Sequence, residues 1–257
     1  MKIIKNKKSQ IAIFIILALI IVVMLILFFL LRAAPETELF NEDNPQAYIE
    51  ACTRQATEEA LNILGPQGGD IEPYGKTLWE DYELVYHCYT NEYYEKCINQ
   101  RPMLIEHIEQ EITNFITPIV QECFENLEAK LEKRYEISTG DLKLRTEIHP
   151  RQVVVQIDKK FKMKRGDIIR EINHFRMNMI HPIYNLAEIS MEIVNQEIVY
   201  CNFDELGYMI LHPEYDIIKF ITGSANTIYI LTDRPSNIKF QFATRNCLLP
   251  PGLGYSI

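Results

Sequence analysis

Hydrophobic and polar positions follow three different patterns along this chain. From Ile11 to Leu31 every residue is apolar, 21 in succession. Beyond residue 44 the apolar positions recur at helical spacing. "PQAYIEACTRQATEEALNIL" carries Ile49, Cys52, Ala56, Ala60 and Ile63 on one stripe, with Asn44 as cap, Pro45 in the first turn and Gly65-Pro66 as the stop. This predicts a helix rich in small residues that packs closely against a neighbour. Tyr82, Tyr86, Tyr89 and Tyr93 also fall at helical spacing and predict a second helix. A further helix is expected over residues 103–134, through Ile105, Ile108, Ile112, Phe115, Ile116, Ile119, Cys123 and Leu127, with Pro118 kinking it or dividing it in two.

From residue 138 the pattern turns to alternation. "LKLRTEI", "VVVQI" and "FKMK" read as strands, with turns at His149-Pro150 and at Lys164-Arg165-Gly166-Asp167, and "IIREINHFRMNM" extends the same sheet. Helical period returns through Ile183, Leu186, Ile189, Ile193 and Val194. "DIIKFITG", "TIYILTD" and "IKFQFATR" read as strands again, the last two joined by "RPSN". The expected fold is therefore α+β: an N-terminal transmembrane helix, then helices packed with a mostly antiparallel β-sheet, supported by disulfides. Its expected divisions are a cytoplasmic basic region (1–10), the transmembrane helix (11–31), a juxtamembrane linker (32–44), a mainly helical part (45–137) and an α+β part (138–257).

The continuous run sets the topology. As a helix it would measure roughly 31 Å, close to the hydrocarbon thickness of a bilayer. A cleavable secretory signal has an apolar region of roughly 7 to 15 residues followed by small residues; this run is longer and leads into Arg32 before Ala33-Ala34. Lys2, Lys5, Lys7 and Lys8 precede it, while an acidic stretch follows Arg32. The positive-inside bias then keeps the N-terminus cytoplasmic and places the C-terminal part outside, in a single pass.

Charge and cysteine content agree with that division. Residues 1–32 hold five Lys and Arg and no acids, whereas residues 33–257 hold 21 Lys and Arg against 35 Asp and Glu, a net charge of −14. So acidic a body repels phosphate backbones, and nucleic acid is excluded as a partner. All six cysteines (Cys52, Cys88, Cys97, Cys123, Cys201 and Cys247) lie beyond the apolar run. An even number in an oxidising compartment reads as disulfide support, with some 15 connectivities open; the plainer alternative is that some are buried thiols. Were residues 88–97 one continuous helix, Cys88 and Cys97 would lie about 13 Å apart along its axis, out of disulfide reach. A bridge between them requires a break, for which Asn91 is the candidate.

Catalytic motifs are absent: no GxSxG elbow, no HExxH, no phosphate-binding glycine loop with lysine. "GPQGG" follows a helix and reads as its stop. His107 and Glu111 share a helix face, but two ligands do not make a metal site, and they read as an exposed charge pair. Neither a cofactor nor an enzymatic activity is expected; an anchored hydrolase would need distant His and carboxylate side chains to converge. Tyr82, Tyr86, Tyr89 and Tyr93 either pack on the core or form a binding surface for glycans or a partner protein, since tyrosine joins an apolar body to a polar tip.

Lys7-Lys8-Ser9-Gln10, directly before the apolar run, resembles the class III signals of archaeal type IV pilins. The resemblance implies cleavage between Ser9 and Gln10 by a prepilin peptidase, with the apolar helix retained as the spine of a filament. The glutamate that often stands near the start of that helix is replaced here by Phe14. "KKSQIAIFI", "CTRQATEEALNILGPQGG" and "DRPSNIKFQFATR" together resemble a group of membrane-anchored surface proteins from small-genome archaea. This second resemblance implies export, a shared fold and a bridge between Cys52 and Cys123; of the three pairings the other four cysteines then allow, Cys88–Cys97 with Cys201–Cys247 is the expected one. The expected function is that of a single-pass, membrane-anchored extracytoplasmic surface protein with a structural or binding role, or alternatively a pilin-like filament subunit. Its expected partners are the lipid bilayer through residues 11–31 and either further copies of itself or another surface protein.

Overall fold

The computed structural model describes residues 44–250 and, upstream, the helical positions Leu17, Leu19, Ile21, Val22 and Met24, whose side chains are exposed. The chain divides into two units, Met1–Asn41 and Glu42–Ile257, and every element with described ends lies in the second. The expected fold class is corrected at its N-terminal end. Among the described residues no helix is long and apolar enough to cross a membrane. The longest, Leu104–Leu131, has the length but is amphipathic, with one buried stripe and a polar outer face. Apart from the five positions just named, the span expected over residues 11–31 lies outside the described residues, as do Ser9 and Gln10. The described architecture is α+β, with two mostly antiparallel sheets and three disulfides.

Helix α1 (Pro45–Leu64) starts where the Asn44 side chain accepts a hydrogen bond from the Ala47 amide. Its buried face runs through Ile49, Thr53, Ala56, Thr57, Ala60 and Leu64. The small side chains on this face allow close approach to α2 (Leu104–Leu131), whose stripe runs Leu104, Ile108, Ile112, Ile116, Val120, Cys123, Phe124, Leu127 and Leu131. Cys52 and Cys123 bridge the two helices with Cα atoms 6.5 Å apart. Of the two outcomes expected at Pro118, a kink or a division, the division does not occur: α2 runs unbroken from Leu104 to Leu131. Pro118 stands on the solvent side of the helix with Asn114, so the carbonyl its ring leaves without an N–H partner faces the exposed side.

The second correction concerns residues 82–93. Tyr82–Tyr89 is not a helix but a strand, β2, paired with β1 (Lys76–Trp79) on one side and with β10 (Ile238–Arg245) on the other. "YELVYHCY" is built of aromatic and branched residues that suit a pleated sheet, and it buries Leu84 and Val85, then His87 and Cys88. The tyrosine spacing that mimics a helix is a by-product of that composition. Cys88 and Cys97 approach to 5.4 Å between Cα atoms because the chain leaves β2, loops and returns in the short β3 (Ile98–Asn99), which pairs back onto β2.

One sheet runs β1-β2-β10-β9-β8, where β8 is Tyr215–Ile221 and β9 Thr227–Asp233. Its pairs are antiparallel except β10 with β2, which is parallel. The other sheet is built on the hairpin of β6 (Gln152–Arg165) and β7 (Ile168–Ile180). Along the free side of β6 lie β5 (Lys143–His149) and then β4 (Glu136–Thr139). A register shift between Asp158 and Phe161 turns Lys159 inward, where its Nζ donates to the Gly140 carbonyl and stands 5.3 Å from the centre of the Phe124 ring. Helix α3 (Ile183–Tyr200) ends at Cys201 in the left-handed conformation, and Cys201 is bridged to Cys247 just beyond β10. The short α4 (Glu205–Leu211) lies beside β8, and its Met209 sulfur accepts the Ile217 amide.

Candidate functional site

Two cavities gather aromatic and polar side chains. The first, of about 280 Å³, opens between the segment leading into β1, the outer face of β2 and the connection from β3 to α2. Tyr86 and Tyr89 both face it, although residues three apart on a regular strand point to opposite sides. The cause is an irregularity where β2 meets β10: Ala243 pairs with Tyr86 but Thr244 pairs with Cys88, so His87 is an extra residue and the alternation resets. The two rings then meet edge-on, 4.9 Å between centroids. Tyr74, almost fully exposed, and Lys76, Gln100 and Arg101 complete the wall.

Arg101 is held from behind. Its Nε and Nη2 donate to the two carboxylate oxygens of Asp70 at 3.3 and 2.6 Å, and Nη1 donates to the Gln100 carbonyl. His107 meets the same carboxylate through Nε2 at 2.7 Å. Burial alone pushes the Asp70 carboxyl up, but hydrogen bonds from His107 and Arg101, with their charges, outweigh it and hold the group below its ordinary value. An ionised, buried Asp70 thus fixes the guanidinium at the cavity wall. Glu111, expected to pair with His107, instead accepts the Ile71 amide at 2.9 Å. The two do not converge, and among the described residues no group of three or more His, Cys, Asp or Glu side chains could hold a metal.

Deeper in, His87 is fully buried and stacks on Phe242 at 4.5 Å. Its Nε2 lies 2.8 Å from the Gly68 carbonyl and its Nδ1 lies 2.7 Å from Ser190 Oγ. A carbonyl only accepts, which assigns the proton to Nε2 and makes Ser190 the donor to Nδ1. Burial lowers the His87 pKa to about 4, so the ring is neutral. The Ser190–His87 contact is not a nucleophile and its base. Both residues are inaccessible, and the second ring nitrogen meets a backbone carbonyl instead of an orienting carboxylate.

The second cavity, of about 570 Å³, lies between α3 and the segment from α4 to β8. Glu188 and Glu192 line it from α3, opposite Tyr208, His212, Glu214 and Tyr215. His212 stacks on Tyr208 at 4.4 Å. Burial, followed by the Glu192 charge, pushes the Tyr208 phenol up to about 12, so it is protonated beside three carboxylates. The wall is therefore negative and aromatic, hospitable to cations and repellent to anions.

Of the tyrosines singled out by spacing, the structure brings only Tyr86 and Tyr89 together at a cavity. Tyr82 is exposed where β2 begins, opposite Trp79, and Tyr93 is exposed in the following loop, where it bridges to Leu248. All six cysteines close into the three pairs Cys52–Cys123, Cys88–Cys97 and Cys201–Cys247, the first implied by the resemblance and the other two the pairs expected beside it. Tyr74, Asp70, Arg101 and the acidic cavity had no signal in the sequence, because their partners stand tens of residues apart. Compared with protein-family models, with curated proteins and with solved structures, the chain matches none.

Proposed function

We infer that this chain is an exported surface protein, held to the membrane through the apolar sequence of residues 11–31 and presenting an extracytoplasmic body with a binding or structural role. The observation that carries this reading is the closure of all six cysteines into three bridges within one unit, since disulfides form and persist in oxidising compartments. Two further features support it. Leu17, Leu19, Ile21, Val22 and Met24 are helical with exposed apolar side chains, and the lysines of residues 1–8 precede the run, as the positive-inside bias requires of an outward-facing body. Cavities lined by polar and aromatic groups suit binding.

The test uses intact cells. A membrane-impermeant amine-reactive biotin should label lysines of the 42–257 body without lysis, and a maleimide should label its cysteines only after reduction. A body protected until lysis, or six thiols that label without reductant, would overturn the reading. Mass spectrometry of the mature N-terminus then decides the mode of attachment. A start at Met1 or Lys2 supports a retained anchor, whereas a start at Gln10 replaces it with the processed, filament-forming alternative.

A further inference from the structure

The tyrosine-lined cavity has a chemistry of its own. Three tyrosines face it, one of them (Tyr74) 89% exposed with no internal packing role to explain its size. Exposed aromatic rings cost apolar hydration, and tyrosine is the residue that supplies broad, rigid contact area with little loss of conformational freedom. Gly75 lies in the wall with φ +70°, and a β-carbon built there would touch nothing within 4 Å, so bare backbone borders open space at that point.

Charge decides what such a wall prefers. Lys76 and Arg101 are both cationic, which at first sight suggests an anion. Each already has its counter-ion, however: Lys76 pairs with Glu83, and Arg101 with the buried carboxylate of Asp70. The wall is thus locally neutral, and the chain beyond residue 32, with a net charge of −14, repels anions at longer range. What remains is a set of polar groups fixed in direction. Arg101 cannot swing, because Asp70 and the Gln100 carbonyl hold it, yet Nη1 has an N–H beyond the one donated to Gln100. The Gln100 side chain is exposed at the rim, its amide tethered to the Ile98 carbonyl so that its oxygen is the free end. Ring faces for C–H surfaces, with donors and acceptors at the edges, complement a polyhydroxylated ring. The volume of about 280 Å³ stands just under the usual lower bound of roughly 300 Å³ for ligand pockets, which fits one or two sugar units.

We propose that the cleft formed by Tyr74, Tyr86, Tyr89, Gln100 and Arg101 binds the terminal one or two residues of a neutral glycan. The sugar's C–H face packs on the tyrosine rings, and its hydroxyls meet Arg101 Nη1 and the Gln100 carboxamide oxygen. The inference rests on the binding role proposed above and names its ligand class.

The experiment is an oligosaccharide array probed with the detergent-solubilised full chain. Its arms are neutral hexose oligosaccharides and uronic-acid or sialylated ones, and the Tyr74→Ala, Tyr89→Ala and Tyr74→Phe variants run alongside. Neutral oligosaccharides should bind, and Tyr74→Ala and Tyr89→Ala should each weaken that binding at least tenfold. Tyr74→Phe should retain it, because the ring face carries the contact. Tyr74 is exposed enough for its alanine variant to keep the parent thermal midpoint, which separates lost binding from lost folding. Retention of only the acidic oligosaccharides, or binding that both alanine variants leave unchanged, would overturn the neutral-glycan cleft while leaving a binding role intact. An array with no bound sugar, on protein already shown to be displayed at the cell surface, would sink the inference without touching the export reading.

Discussion

Removing the bridge between α1 and α2 should be the most damaging of the three disulfide deletions. The perturbation is Cys52→Ala with Cys123→Ala, so that no lone thiol is left. Its magnitude follows from the length of chain each bridge closes in the unfolded state. The three bridges span 71, 46 and 9 residues. Chain entropy then gives about 4.4 kcal/mol for Cys52–Cys123, about 4.0 for Cys201–Cys247 and about 2.6 for Cys88–Cys97. The Cys88–Cys97 loop is nested inside the largest one, which shortens the latter's effective length only slightly and leaves the order unchanged. Burial adds in the same direction at Cys123, whereas Cys201 is exposed. Urea unfolding of the oxidised parent and the three double-alanine variants, followed by the fluorescence of the single tryptophan, measures the differences. A midpoint shift of roughly 10 °C in thermal melts would accompany a loss of about 4 kcal/mol in a body of this size. A loss below about 1 kcal/mol for Cys52–Cys123, or an equal loss for Cys88–Cys97, would refute the chain-entropy reasoning.

Two further outcomes follow from buried groups. Burial lowers both His87 and His181 to about 4 from 6.5. Each is neutral in the fold and takes up a proton on unfolding below 6.5, so its contribution is intact above 6.5 and is lost as pH falls toward 4, by about 3 kcal/mol at most for each. Denaturant titrations across that window should show stability falling with acidification, and His87→Gln should reduce the slope by about half; an unchanged slope would exclude His87. Asp70, held below its unperturbed value of 3.8, adds its own loss only at lower pH. Separately, Gly68 has φ +83°, and a β-carbon there would lie 2.6 Å from Val85 Cγ1 and 3.0 Å from the Gln241 carbonyl. Gly68→Ala should therefore cost more than about 1 kcal/mol, and a melt within error of the parent would show that β2 and β10 yield freely.

How far the sequence reached depended on the range of the interactions involved. α1, α2 and α3 were legible because each repeats its apolar positions within its own length, β6 because most of it alternates, and β9 and β10 because branched and aromatic residues are bounded by turn signals. β2 was misread since its residues are buried on both sides, which removes alternation and leaves tyrosine spacing as the loudest pattern. Glycines 65, 68 and 69 read as a helix stop, and they are one. The sequence did not show that in the same loop the Gly65 and Gly68 carbonyls accept from the Gln241 amide and from His87 Nε2, tying α1 to the sheet. The cleft was half legible: two tyrosines came from spacing, for the wrong reason. Arg101 and Asp70, 31 residues apart, meet only because β3 returns the chain to β2.

The place of β10 gives the molecule a calendar. It is the last of the described strands in chain order, yet it lies inside the sheet, between β2 and β9. A chain delivered from its N-terminus can form the β1–β2 and β8–β9 hairpins early, but the two remain unjoined until Arg245 has emerged. Cys97 follows Cys88 closely, so that pair can oxidise while most of the chain is still to come. Cys247 arrives two residues after β10, and its bond to Cys201 forms only once the strand that joins the two hairpins is present. The order in which the bridges appear during biogenesis is thereby a readout of the order in which the sheet is completed.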